Sequence, residues 1–189
     1  MKEFTLEIAG LKRTLSFVPI DEKLAYASFV VISDTELVKT VAPLLAEKIN
    51  NCDMIVTAEA KGIALAYEVS KLLNQERFVV ARKSVKGYMK DPVSISVKSI
   101  TTENVQRLYL DQSDIVLIKG RKVCLLDDVV STGESLSALQ ALVDSAGGIV
   151  SGKACILAEG EAAKRDDLIY LEGLPLFVKT RDGEYEVLK

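Results

Sequence analysis

Two adjacent aspartates, Asp127 and Asp128, follow the short apolar run of residues 123–126 and precede a loop of small and hydroxyl residues. Carboxylates accept hydrogen bonds from sugar hydroxyls, while backbone N–H groups of a loop and of a helix N-terminus bind phosphate. Gly133 lies in this loop, where a side chain would obstruct close approach of the backbone to an anion. These residues predict a site that holds a sugar phosphate. An ordinary helix N-cap is the alternative, but neighbouring acids are costly to bury without a partner, which favours the ligand site.

The apolar strand, the acidic pair and Ser131-Thr132-Gly133 match one known motif in order and spacing. This run resembles the binding motif for 5-phosphoribosyl 1-pyrophosphate (PRPP) in type I phosphoribosyltransferases. The resemblance implies that Asp127 and Asp128 are the catalytic pair that binds the ribose hydroxyls. It also implies that the 5′-phosphate is held by Val129, Val130, Ser131, Thr132, Gly133, Glu134 and Ser135.

A second polar loop, residues 57–62, joins a predicted strand to a predicted helix. Lys61 and free N–H groups at a helix N-terminus favour a polyanion. The loop resembles the pyrophosphate loop of adenine and xanthine phosphoribosyltransferases, and Arg82-Lys83 resembles the basic pair after the next strand in that family. The pyrophosphate-binding residues implied by both resemblances are Glu59, Ala60, Lys61, Gly62, Arg82 and Lys83. The alternatives are a solvated turn with an exposed Glu–Lys pair and a solvated basic surface.

Residues 84–110 form a polar excursion with two alternating apolar segments, which predicts a hairpin. The segment resembles the mobile hood of the family. Tyr88 is the candidate to cover the site, with an ordinary exposed tyrosine as the alternative. The adenine enzymes of the family carry a glutamate here, whereas the comparable residues 94–98 include no acid. Residues 17–21 are the candidate lining of a base pocket, with core packing of Phe17 as the alternative.

The composition excludes several classes of protein. A chain of 189 residues, 49% hydrophobic, is predicted to form one packed domain. The net charge of −3 is opposite to that of a general nucleic-acid binder, and no apolar run has the length of a transmembrane helix. The absence of histidine excludes Ser-His and Cys-His catalysis and His-ligated zinc. We therefore expect a cytoplasmic protein that binds neither nucleic acid nor membrane.

Strands that alternate with helices predict an α/β fold, a parallel twisted sheet flanked by helices, with a small hood and an N-terminal hairpin within residues 1–32. The acidic pair is expected to end its strand, and the next helix to begin at about Glu134. Another helix is expected to begin at a capping box of Ser33 and Glu36, with a kink or break at Pro43. Further strands are predicted over residues 54–57, 78–81, 149–157, 168–170 and 176–178, and a further helix over 62–73. Because ligands bind beyond the carboxyl ends of parallel strands, the polar clusters are expected to converge at one edge.

The family resemblance implies one phosphoribosyltransferase domain over residues 1–189. Its activity would be transfer of the 5-phosphoribosyl group from PRPP to a purine base, with adenine favoured, in purine salvage. Mg²⁺ would act with PRPP, held mainly through PRPP and within reach of Asp127 and Asp128, and the expected assembly is a homodimer. The alternatives are a xanthine- or hypoxanthine-type enzyme, a PRPP-sensing protein of the same fold without catalysis, and an unrelated phosphatase-like metal site.

Overall fold

The computed structural model describes residues 1–98 and 105–188. The strands are β1 (Glu3–Ile8), β2 (Leu11–Pro19), β3 (Leu24–Ala27), β4 (Met54–Ala58), β5 (Val79–Ala81), β6 (Val93–Lys98), β7 (Val105–Leu110), β8 (Lys122–Val130), β9 (Ile149–Glu159), β10 (Glu172–Leu174), β11 (Leu176–Lys179) and β12 (Tyr185–Val187). The helices are α1 (Thr35–Lys48), α2 (Ile63–Leu72), α3 (Gln112–Ile118) and α4 (Glu134–Ser145), and Gly160–Lys164 forms a 3₁₀ turn. Residues 99–104, within the predicted hood excursion, lie outside the described part of the chain.

A parallel sheet in the order β10-β9-β8-β4-β5 forms the centre of the fold. One face packs against α1 and α2, with Leu37 and Leu65 in the same buried cluster as Leu126. The other face packs against α4 and β7, with Leu139 and Leu110 in a second buried cluster. Because both faces are covered, β4 and β8 are apolar at successive positions rather than at alternate ones.

A second, antiparallel sheet in the order β1-β2-β3-β11-β12 joins the two ends of the chain. β1 and β2 form the hairpin around Ala9-Gly10, and β3 pairs with β11 from the C-terminal region. Phe177 is fully buried, and its ring centroid lies 5.1 Å from that of Phe4 and 4.7 Å from that of Phe17. Phe17 therefore has the core-packing role, and this aromatic cluster fixes the antiparallel sheet.

Helix α1 differs from the expected element in two ways. Its N-cap is Asp34, which accepts a hydrogen bond from the Leu37 N–H, whereas Ser33 has a left-handed φ of 72° and precedes the cap. The helix also continues unbroken through Pro43, so the expected break does not occur. Both Pro43 and Lys39, four residues earlier, are exposed. The Lys39 carbonyl that loses its helical partner can therefore bind water.

Three other expectations are corrected by the strand pairing. β8 does not end at the acidic pair but continues to Val130, because its last residues still pair with β9. Residues 168–170 form no strand; Ile169 makes an isolated bridge to Ala154, and the edge strand is β10 instead. β3, α3 and β12 were not expected. The hairpin of β6 and β7 is formed, and its strands pair from Val93↔Leu110 to Lys98↔Val105. Among the described helices, none is both long and apolar enough to cross a membrane.

Asp34 connects the start of α1 to the N-terminal hairpin. Its carboxylate caps the helix and also accepts hydrogen bonds from Arg13 Nε at 2.6 Å and Nη2 at 3.0 Å. We expect Asp34→Ala to lower the free energy of unfolding by about 2 kcal/mol, since it removes the cap and leaves a half-buried guanidinium without its main partner. Urea denaturation measures the loss.

The control for this variant is Glu36→Ala. Glu36 binds the same arginine at 2.7 Å, but its side chain is 68% exposed, so its loss is expected to stay below about 1 kcal/mol. Equal losses for the two variants would contradict the role of the Asp34 cap.

Candidate active site

The carboxyl ends of β4, β8 and β9 meet the antiparallel sheet around a cavity of about 330 Å³. This volume lies within the range of small-molecule sites. The polar lining is supplied by Lys61, Asp128, Ser131 and Glu159. The remaining lining consists of Tyr26, Ala27, Phe29, Val129 and Leu174. The ends of β4 and β8, with Lys61, Asp128 and Ser131, are thus suited to a charged or hydroxylated group, and Tyr26, Phe29 and Leu174 are suited to an apolar ring.

The acidic pair has an unusual environment. Asp128 is 4% exposed, and its Oδ2 has no hydrogen-bond partner among the described residues. The nearest cation is Lys61, whose Nζ lies 3.9 Å from that oxygen. Asp127 Oδ1 accepts a hydrogen bond of 2.9 Å from the Asp128 N–H. A buried carboxylate oxygen without a donor is costly, and hydroxyl groups of a ligand would satisfy it.

Burial raises the pKa of both Asp127 and Asp128 above the ordinary value for aspartate. At Asp127, the charge of Asp128 increases the rise in pKa. At Asp128, the charge of Lys61 opposes it. The pair therefore holds its negative charge less easily than exposed carboxylates do, and a nearby cation or positive centre on a ligand would stabilise that charge.

Between β8 and α4, the loop is shaped by Gly133. This residue has a φ of 81°, it is buried, and a Cβ at this position would clash with Arg165 Nη1. Ser131 and Thr132 are exposed, and the Thr132 Oγ1 accepts a hydrogen bond from the Glu134 N–H at 3.4 Å. A loop of this form at the start of a helix presents backbone N–H groups to an anion. The family resemblance implies that this loop holds the 5′-phosphate.

The loop between β4 and α2 contains Lys61, whose side chain is 50% exposed, and Gly62, which caps α2. A Cβ on Gly62 would clash with Thr57 Oγ1, so glycine is required for the helix to begin this close to the strand. Thr57 is fully buried and its Oγ1 has no hydrogen-bond partner among the described residues. The close packing places Lys61 beside the end of β8.

The Glu59 carboxylate contacts basic residues that follow β5. Its carboxylate accepts a hydrogen bond of 2.8 Å from the Lys83 N–H, and its Oε1 lies 3.2 Å from Lys86 Nζ and 3.8 Å from Arg82 Nη1. The Lys83 hydrogen bond and the two cations hold the pKa of Glu59 below its usual value. Glu59 therefore orients the basic groups that follow β5, and Lys86 is a member of this cluster that the sequence did not indicate.

Comparison with known proteins places this arrangement in a family. The family model described as a phosphoribosyl transferase domain matches residues 32–180. The chain belongs to the phosphoribosyltransferase family. An adenine phosphoribosyltransferase of Petrotoga mobilis is 31% identical over 172 residues, 88% of this chain and 96% of that one. A xanthine phosphoribosyltransferase of Exiguobacterium is 32% identical over 139 residues, 72% of this chain and 70% of that one.

The fold of this phosphoribosyltransferase is also found among solved structures. The crystal structure of adenine phosphoribosyltransferase from Thermoanaerobacter pseudethanolicus superposes with a TM-score of 0.68 at 20% identity, and covers 84% of this chain and 95% of that one. The expected α/β type I phosphoribosyltransferase fold is therefore confirmed, and the protein is a transferase. The relatives are named for different bases, so the family alone does not select one.

The structure brings together part of the expected site of the phosphoribosyltransferase. Lys61, Asp128, Val129 and Ser131 border one cavity. Asp127 adjoins Asp128 but is not among the residues that line this cavity. The other expected residues outside the lining are Glu59, Ala60, Gly62, Arg82, Lys83, Val130, Thr132, Gly133, Glu134 and Ser135. Tyr88 is 61% exposed and is also not in the lining. The roles assigned to all these residues stay predictions.

The sequence did not single out five residues of the cavity lining: Tyr26, Ala27, Phe29, Glu159 and Leu174. Glu159 directly follows the buried residues of β9, and an acid at the carboxyl end of an apolar strand is the signal that identified Asp127 and Asp128. Tyr26 and Phe29, and none of residues 17–21, supply the aromatic lining of this cavity. No local signal marks Tyr26, because its position depends on pairing with Leu176 at the other end of the chain.

Gly62→Ala is expected to lower the free energy of unfolding by about 2 kcal/mol, since the added methyl group meets Thr57 Oγ1 in a packed core. In a Thr57→Ala background the same substitution should lower the free energy of unfolding clearly less, because the obstructing hydroxyl is absent. Urea denaturation of the four proteins of this cycle measures the difference. Gly173→Ala is the matched control, since a Cβ there has open space; equal costs at both glycines would refute the clash.

Asp128→Asn is expected to raise the free energy of unfolding at pH 8 by about 1 kcal/mol, as often occurs when a buried functional charge is neutralised. Burial raises the pKa of Asp128 in the folded state. The charge therefore destabilises the fold above that pKa, and this cost vanishes once the pH falls below the ordinary pKa of aspartate. Urea denaturation at several pH values should show a gain at pH 8 that shrinks towards pH 4.

Asp167→Asn provides a control of opposite sign. Arg165 and Lys153 hold the pKa of Asp167 below its usual range. This variant should lose stability at pH 8, by less than about 1 kcal/mol for so exposed a carboxylate, and the loss should shrink at low pH. A loss of stability at pH 8 for both variants would contradict the conclusion that the Asp128 charge destabilises the fold.

Proposed function

We propose that this transferase moves the 5-phosphoribosyl group from PRPP to a ring nitrogen of a purine base and releases pyrophosphate. Adenine is the favoured base. The observation that carries the proposal is the buried Asp128 Oδ2, which lacks a donor among the described residues and borders a cavity between a lysine loop and aromatic side chains. By family resemblance we also propose a role in purine salvage in the cytoplasm.

In this proposal the ribose 5-phosphate occupies the polar side of the cavity. The ribose hydroxyls donate hydrogen bonds to Asp127 and Asp128, which supply the donors that the buried carboxylate lacks. The 5′-phosphate lies on the loop of residues 129–135, where Gly133 allows the backbone to approach closely. The raised pKa values of the two aspartates support this assignment, because a cationic centre on the sugar would favour their ionised forms.

The pyrophosphate would be bound by the cations near β4 and β5. Lys61 extends from the loop beside Asp128, while Arg82 and Lys83 follow β5, where Glu59 contacts the Arg82 guanidinium and the Lys83 backbone N–H. As the bond to C1′ breaks, negative charge builds on the leaving pyrophosphate and positive charge on the ribose. Fixed cations at the first and a carboxylate at the second stabilise this transition state. Tyr88 in the hood is the candidate to exclude water.

Mg²⁺ fits this donor set as a partner of PRPP. Carboxylate and phosphate oxygens are the ligands that it prefers. Among the described residues no group of three or more acidic, cysteine or histidine side chains could hold a metal ion. PRPP and water would therefore supply most ligands, with Asp127 and Asp128 as the protein groups within reach. When bound, the ion would neutralise charge on the pyrophosphate.

The base would bind on the apolar side of the cavity, against Tyr26, Phe29 and Leu174. Aromatic and aliphatic side chains favour a flat, largely apolar ring such as a purine. We further propose a homodimer, as the family resemblance implies. A second candidate function is a PRPP sensor without catalysis, which is favoured by the lack of an acid in residues 94–98 of the hood.

The double variant Asp127→Asn, Asp128→Asn is expected to lower the rate of pyrophosphate release at least ~1,000-fold, since it removes both ribose-binding carboxylates. The assay supplies PRPP, Mg²⁺ and each of adenine, guanine, hypoxanthine and xanthine. Calorimetric titration with Mg–PRPP should show that binding is lost while the thermal unfolding transition remains.

Asp144→Asn is the matched control, because Asp144 is exposed on α4 outside the cavity lining; it should retain wild-type turnover. Unchanged turnover in the double variant would refute the ribose assignment. Binding of Mg–PRPP by the wild-type protein without pyrophosphate release for any base would identify the sensor instead.

A further inference from the structure

We propose that Glu159 selects the base: its carboxylate accepts a hydrogen bond from an exocyclic amino group, so that the substrate is an aminopurine. This inference rests on the proposed function and deepens it. Neither the acidic pair nor the basic clusters supply such a contact, because they are assigned to the ribose and the pyrophosphate. Glu159 is the remaining charged residue of the cavity lining.

The backbone of Glu159 is held firmly at the edge of the cavity. It is the last residue of β9, where it pairs with Leu174 of β10, and the preceding Ala158 pairs with Val130 of β8. A residue held between two neighbouring strands keeps its direction better than a residue on a loop. Leu174 is itself part of the apolar lining. Glu159 therefore borders the side of the cavity that the base would occupy.

The acceptor capacity of Glu159 is not used by the protein. Its half-buried carboxylate makes no hydrogen bond or ion pair within 4.0 Å in the part of the chain that the structure describes. Burial raises its pKa, and the charge of Lys61 opposes this rise. Glu59, by contrast, has a backbone donor and two cations, and Asp167 has Arg165 and Lys153. A ligand that brings N–H donors would satisfy Glu159.

The chemistry of a carboxylate then limits which purine fits. An ionised carboxylate is an acceptor only. Adenine and guanine each carry an exocyclic amino group that can donate to it. Hypoxanthine and xanthine can offer only ring N–H groups, and xanthine has a carbonyl in the place of the guanine amino group. A carbonyl oxygen facing a carboxylate leaves two acceptors opposed without a donor. A site built on such a hydrogen bond rejects the analogue that lacks the donor.

The experiment uses two pairs of bases that differ by one amino group: adenine with unsubstituted purine, and guanine with hypoxanthine. Xanthine completes the panel. The values of kcat/KM with Mg–PRPP are compared for the wild-type protein, Glu159→Met and Glu159→Gln. Methionine keeps the length of the side chain without a strong acceptor, and glutamine keeps a neutral acceptor. Glu161→Met is the matched control, since Glu161 is exposed and pairs with Lys164 at 2.8 Å.

In the wild-type protein, the amino-bearing base of the preferred pair is expected to exceed its partner by about 10- to 100-fold, the effect of one hydrogen bond to a charged group. Glu159→Met should reduce kcat/KM for that base by a similar factor and change its partner less than about threefold. For that base, the kcat/KM of Glu159→Gln should lie between those of the wild-type protein and Glu159→Met. Glu161→Met should keep the wild-type ratio of kcat/KM between the two bases of the pair.

Three outcomes would each overturn the inference. In the wild-type protein these are kcat/KM ratios below about threefold in both pairs, or a preference for xanthine. In Glu159→Met it is an equal loss of kcat/KM for both members of a pair. If the methionine variant does not fold, as thermal unfolding would show, the wild-type ratios and the glutamine variant decide. Failure of the proposed function looks different, since the wild-type protein would then bind no Mg–PRPP and release no pyrophosphate with any base. That result would overturn both proposals.

Discussion

The burial of the Asp128 carboxylate is the constraint on which the rest of the site depends. β8 is a central strand that pairs with β4 on one side and β9 on the other, so its end cannot move aside to expose the carboxylate to water. Lys61 at 3.9 Å offers partial charge compensation without donating a hydrogen bond at that distance. Packing in the two buried clusters that cover the parallel sheet offsets the free-energy cost of burying this carboxylate. Such compensation is common where strain is stored at functional sites.

The cavity lies where the parallel sheet and the antiparallel sheet meet. The polar lining comes from the carboxyl ends of β8 and β9 and from the loops that follow β4 and β8. The aromatic lining comes from residues 26–29, and β3 is held by β11 from the far end of the chain. Phe177 anchors β11 through its contacts with Phe4 and Phe17. Phe17 of this aromatic cluster also pairs with the lining residue Ala27, so the cluster helps to determine where β3 and its Tyr26 lie.

Two carboxylates near the cavity, Glu59 and Asp128, contact cations. Glu59 is matched by Arg82 and Lys86, and Asp128 faces Lys61, whereas Glu159 has no matched ion pair among the described residues. Such pairing keeps the cations in place and limits their repulsion in the free protein. A polyanion near Lys61 or Arg82 would compete with these carboxylates. The two carboxylates on the cavity lining would then be available to hydroxyl and N–H donors of the same ligand.

By itself the sequence determined the start of β8, the loop with Gly133, the start of α4, the loop before α2 and the hairpin of β6 and β7, because the apolar periodicity and the glycines that mark them are local signals. It indicated the family through the same residues. It did not determine β3, the choice of β10 over residues 168–170, or the cap at Asp34, which Arg13 of the N-terminal hairpin reinforces. The tertiary structure decided these, and with them the presence of Tyr26, Phe29 and Glu159 at one cavity, because strand pairing and burial depend on residues far apart in the chain.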